Sequence, residues 1–188
     1  MIGERAILVR EQAAGLRPSA YALAKLAVFG VVCAAEAAVL AVGCALVRPV
    51  PGAGALLGSG GLELAIALAG TALASCQLSL LCSALVRSTD QVMPVLVLMM
   101  ALLVLCGGLI PITGRVGVSQ LSWLVPARWG YAAGAATADL RRISPGSPAD
   151  ALWRHAPGPW LLSIAILATC VAGATALVAV RLSRIERS

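Results

Sequence analysis

Residues 92–112 read VMPVLVLMMALLVLCGGLIPI, 21 residues without a charge. At about 1.5 Å per residue, a helix of that length crosses a hydrocarbon layer of roughly 30 Å. The stretch predicts a transmembrane helix. The segment SQLSWLVPARWGYAAGAATADL over 119–140 is no second span. Arg128 and Asp139 interrupt it, Arg115 precedes it, and Pro126 removes a backbone donor in its middle. With Trp123, Trp129 and Tyr131 it is also too apolar for an ordinary water-filled loop. An amphipathic, aromatic segment broken by proline beside a span end predicts a re-entrant hairpin of short helices at the membrane interface, where Trp and Tyr are favoured.

Composition agrees with an integral membrane protein: 60% of the 188 residues are hydrophobic and 12% charged, and mean hydropathy is +0.95. That length holds one membrane domain and no separate soluble domain of normal size. The net charge of +6 would suggest nucleic acid in a soluble chain. Here the arginines flank apolar runs, where they orient spans and meet anionic head groups, so nucleic acid is set aside as a partner and membrane lipids are expected instead. All six cysteines lie in apolar segments without a CxxC pair, and His155 is the single histidine. They read as small packing residues, with no metal site expected.

From the start of the chain, residues 1–20 alternate a charged face (Glu4, Arg5, Arg10, Glu11) with an apolar one (Ile7, Leu8, Ala14). This spacing predicts an amphipathic helix at the membrane surface, closed by Gly15, with Pro18 and Ser19 opening the next element. Spans are expected over 21–47 and 62–86, then over 92–112, with a loop over 113–159 that contains the re-entrant helices, a last span over 160–180, and the basic tail RLSRIERS over 181–188. The five residues of 87–91 make a turn too tight for anything but antiparallel neighbours. The fold class is thus all-α: four transmembrane helices, an N-terminal amphipathic helix and a re-entrant hairpin before the last span. Four spans place both termini on one side. The basic residues near them favour the cytoplasm, in a multi-pass plasma-membrane protein.

Glu36 sits near the middle of the first span. An ionised carboxylate at the bilayer centre costs about 2.5 to 3.5 kcal/mol on insertion scales, so it faces protein or water. It marks either a polar point on a substrate or proton path or a carboxyl that holds helices together. Enzymatic chemistry finds no footing. Lys25, the single lysine, is preceded by Ala-Leu-Ala, so no GxxxxGK[ST] loop can form, and no GxSxG elbow is present.

Three stretches in this order resemble the membrane domain of type 2 ABC exporters, the G subfamily of white and pleiotropic drug resistance transporters. They are GERAILVREQAAGLRPSAYALAK, CGGLIP, and LSWLVPARWGYAA. The first is similar to the family's first intracellular loop, the second to the outer end of the penultimate span, and the third to the re-entrant helices before the last span. The wording of LIPITGRVGVSQLSWLVPARWGYAA looks like actinobacterial members fused to ATPase and forkhead-associated domains. The resemblance implies a membrane domain of six spans, of which this chain would open at the loop after the second.

The resemblance implies that Glu4, Arg5, Arg10 and Glu11 contact a nucleotide-binding domain, and that Leu109 and Ile110 form a valve at the outer exit. ATP and magnesium would sit on a partner ATPase domain or subunit, with no cofactor in this chain, and a second membrane half would complete a dimer. Independently of the family, Ala101, Val104 and Gly108 fall at i, i+3 and i+7 of one helix face. They can line a translocation path, with Glu36 a further candidate, or simply pack. The expected function is the permease part of an ATP-driven exporter of a lipid-like or hydrophobic substrate. The alternative is a small accessory or assembly membrane protein without a transport path.

Overall fold

A computed structural model of the chain describes residues 10, 18–47, 52, 54–86, 89–106, 118–143 and 150–185. The elements are helical: α1 (Pro18–Val47), α2 (Gly60–Leu85), α3 (Val92–Cys106), the short α4 (Val118–Ser122), α5 (Pro126–Ala138), the one-turn α6 (Leu140–Ile143) and α7 (Pro157–Ile185). Single 3-10 turns occupy Thr89–Gln91 and Ala151–Trp153. Three of these helices are long and apolar enough to cross a membrane: Ser19–Val47, Gly60–Leu85 and Pro157–Ser183. They correspond to the first, second and last spans expected from the sequence. α3 covers 15 residues, about 22 Å at the helical rise, which is shorter than a hydrocarbon core. The remainder of its apolar run, 107–112, lies outside the described residues.

The sequence divides these elements where backbone chemistry requires it. Pro18 stands at the first position of α1 and Pro157 at that of α7, where a missing N–H costs nothing. Pro126 opens α5 in the same way, so the proline that argued against a second span separates two short helices. α5 ends at Asp139, which adopts the left-handed conformation at φ 50° and donates its backbone N–H to the Ala135 carbonyl. α7 runs through Ile185, so the basic tail begins as the last turn of this helix instead of as a free segment.

α2 is the central post. α1, α5 and α7 all pack on it, and α5 and α1 each also meet α7. At the end that holds the start of α1 and the close of α7, Ala22 is buried with Val178 and Leu182. At the other end, α5 is wedged between α2 and α7: Ala133 and Ala136 pack with Ala67 and Trp160, and Trp129 packs with Ala74 and Leu167. From Glu63 to Ala74 this contact runs along α2 for roughly 16 Å. Only small residues permit it. A Cβ on Gly130 would stand 2.8 Å from the Cβ of Thr71, so the two backbones meet nearly side to side.

Glu63 fastens the top of this assembly. Its carboxylate is fully buried and accepts backbone N–H bonds from Ala55 at 2.9 Å and from Leu56 and Leu57 at 2.7 Å each. It also accepts the Thr137 hydroxyl of α5 at 2.9 Å. Gly54 supports the same knot, because a Cβ there would lie 2.6 Å from the Glu63 carboxyl carbon. One carboxylate therefore joins the loop before α2, the first turn of α2 and the end of α5. Its charge also suits a helix N-terminus.

Substitutions separate these contributions. Glu63→Gln turns one acceptor oxygen into a donor facing donors, and should lower stability by about 2 to 4 kcal/mol, read as a lower midpoint in detergent thermal melts. Thr137→Val removes the hydroxyl that donates to Glu63 and also lies 3.1 Å from the Ala133 carbonyl, and should cost about 1.5 to 3 kcal/mol. Gly130→Val should prevent α5 from seating, seen as loss of monodisperse protein on size exclusion, whereas Gly173→Val, at a site with open space around it, should be recovered normally.

Candidate functional site

Three features form the surface on which a translocation path could be built. The first is the outer face of α3. Met93, Val97, Met100 and Val104 are each more than half exposed, and Ala101 is exposed with them. Leu102 and Leu103 point the other way, against Val125 in the turn before α5. α3 thus presents an uncovered apolar stripe while its back holds the hairpin. Ala101 and Val104 share this stripe, as their spacing predicts, and Gly108 lies outside the described residues.

The second feature is a groove of about 440 Å³ between α2 and α5, lined by Leu64, Leu68, Thr71, Gly130 and Tyr131 among others. It is chemically bland. The Thr71 hydroxyl donates to the Ala67 carbonyl at 2.6 Å, leaving the groove apolar. A smaller cavity of about 180 Å³ lies between the end of α2 and the start of α3, reached by Ser79, Cys82 and Ser83. Several hydroxyls of α2 and α7 behave alike: Ser79, Ser163, Thr169 and Thr175 donate to carbonyls four residues back in their own helices. Gln77, buried at the centre of the bundle, meets Thr175 through its carbonyl oxygen at 3.4 Å. These are packing contacts, as expected for polar side chains within spans.

The third feature is the polar end of the hairpin. Arg128 donates to the Ser122 hydroxyl, pairs with Asp150 at 3.5 Å and lies 5.6 Å from the Trp123 ring centre. The Trp129 indole donates to the Trp123 carbonyl at 2.9 Å, with the two rings edge to face at 5.4 Å. Asp150 also caps the 3-10 turn by accepting from Leu152 N at 3.0 Å, and Trp153 then packs on Tyr131 at 5.6 Å. The His155 Nδ1 reaches the Ala136 carbonyl at 2.8 Å. Arg128 thereby holds α4, the start of α5 and the strap before α7 in one cluster.

Of the residues singled out from the sequence, Ala101 and Val104 share a face, and Glu36 stands apart on α1, exposed and without a hydrogen bond or ion pair among the described residues. Arg10 is helical and exposed. Glu4, Arg5, Glu11, Leu109 and Ile110 lie outside the described residues. Glu63 is not among the residues that the sequence singles out. The available signal was a lone acid beside GAGALLGSGG, a loop whose many backbone N–H groups have no regular partner. The Arg128–Asp150 pair had no such signal, because Asp150 stands in a polar tract that also holds Arg141, Arg142 and Arg154.

Comparison with known proteins agrees with this architecture. The family model described as ABC-2 type transporter matches residues 1–137. The chain is 44% identical over 171 residues to the ABC transporter ATP-binding/permease protein Rv1747 of Mycobacterium tuberculosis, an alignment covering 89% of this chain and 20% of that protein. The chain thus spans about a fifth of the length of the curated relative it matches. No solved structure matches. With most of its length inside the family's membrane domain, this chain belongs to the ABC-2 type transporter family.

Proposed function

We propose that this chain is the permease part of an ATP-driven exporter in the plasma membrane, of the G-subfamily kind, and that it moves a lipid-like or otherwise hydrophobic substrate. The observation that carries the reading is the uncovered stripe of Val97, Ala101 and Val104 on α3. It faces away from the hairpin that α3 supports, and its apolar side chains suit a path for an apolar cargo. A second membrane half would face it, so that two such stripes enclose a cavity. The apolar pair Leu109 and Ile110, further along the same run, would then make the valve at the outer exit.

The energy source lies outside these residues. The relative is by name both ATP-binding and permease, and this chain has no phosphate-cradling loop. A partner ATPase domain or subunit, carrying ATP and magnesium, would press on the helix holding Glu4, Arg5, Arg10 and Glu11. Such a coupling needs an element with two positions that both sites bias, and that helix is the candidate. Both termini would be cytoplasmic. α4 and α5 would be the re-entrant hairpin, a reading supported by the distance that α5 runs along α2 between two membrane-crossing helices.

Export of a lipophilic dye, measured in vesicles with the ATPase present, tests the path. Ala101→Trp and Val104→Trp should each reduce transport at least tenfold by filling it. Leu177→Trp, at an exposed position on α7, should leave transport within twofold. Equal loss in all three, or in none, removes the path from α3. Charge reversal of Arg10 and Glu11 together should leave ATP hydrolysis intact while transport falls at least fivefold; coupled transport at the original rate would end their assignment to the ATPase contact.

A further inference from the structure

We propose that the Glu36 face of α1 is the docking surface for a further membrane-spanning segment outside these 188 residues, one that presents a hydrogen-bond donor or a cation at the depth of Glu36. The inference rests on where α1 spends its surface. It buries Ala22, Cys33 and Ala37, a narrow stripe turned toward its neighbours, and leaves the rest open: Val32 is 45% exposed, Val39 73% and Leu40 56%. It is the least covered of the three membrane-crossing helices, with 11% of its apolar window buried against 17% and 22% for the others. Glu36 lies in this open region, between Val32 at i−4 and Val39 and Leu40 at i+3 and i+4.

Lipid cannot cover an ionised carboxylate there without the cost of inserting a charge into hydrocarbon. No cation among the described residues answers it. Among the described residues Glu36 has no hydrogen bond or ion pair, and the nearest cation on α1 is Lys25, 11 positions away and roughly 16 Å along the axis. A water-filled path is a poor fit as well, because from Phe29 to Val47 the helix offers Glu36 and two cysteines as its polar side chains. One polar point in an apolar face is the pattern of an interhelical hydrogen bond. Gly43, one full repeat along the same face, has open space where a Cβ would stand and lets a neighbouring backbone approach. A second copy of α1 would set Glu36 against Glu36, two like charges. A different span with a donor meets the carboxylate without that repulsion.

The assignment does not depend on transport. It is tested in native membranes, in the protein as the cell makes it, with benzoyl-phenylalanine placed at Val32 or Val39 and adducts mapped by mass spectrometry. The expected adduct is a peptide of an apolar span outside these residues that carries Arg, Lys, His, Asn, Gln, Ser, Thr or Tyr near its centre. Glu36→Leu should reduce its yield at least threefold, while Glu36→Gln, which keeps an acceptor, should stay within twofold. Adducts to phospholipid alone, to α1 of a second copy, or to a span without such a residue overturn the proposal. So does labelling of Glu36→Cys by a membrane-impermeant maleimide, which would place water on this face. If Glu36→Leu does not fold, the identity of the adduct and the Glu36→Gln yield still decide.

Discussion

A single buried carboxylate organises the hairpin half of this molecule. Glu63 is surrounded by three backbone donors and one hydroxyl, so the loop before α2 and the last turn of α5 cannot take other positions without stranding a charge. Taking a charge out of water is costly when any partner is lost, and that asymmetry makes such a knot specific. Everything beneath inherits its register. α5 descends from Thr137, its alanines meet α2 and α7, and Gly130 arrives opposite Thr71 because the distance from the knot fixes it there.

The helices long and apolar enough to cross a membrane were legible from apolar run length, and prolines stand at the starts of α1 and α7. Those signals are local, carried by consecutive residues, and α1, α2 and α7 begin within a few residues of expectation. The break at Pro126 was legible, yet nothing in the sequence told how far α5 would run along α2. That depends on alanines and glycines whose value lies in what they omit, and a missing side chain has no periodic signature. The shared face of Ala101 and Val104 was legible from their spacing. The knot at Glu63 was not, since its partners are backbone groups that every residue but proline can supply.

The two charged centres differ in kind. Around Glu63 the donors are mostly backbone amides, so the site tolerates exchange of the residues that supply them. Around Arg128 the partners are side chains: Ser122, Asp150 and the Trp123 ring. Changing any of them alters the site directly. The first centre ties α5 to α2 and the second ties it to α4 and to the strap before α7, so the short helix is held at both ends by different chemistry.

The near contact of Gly130 with Thr71 bears on how the molecule can change shape. Surfaces that interlock this closely do not slide past one another in small steps, because each intermediate position brings a side chain against a backbone. α2, α5 and α7 therefore respond to force as a single piece. α1, thinly packed along most of its length, and α3, which meets α2 in few places, are where displacement costs least. Strain applied at the end where α1 begins would be absorbed along those two seams, and the three-helix block would tilt instead of deforming.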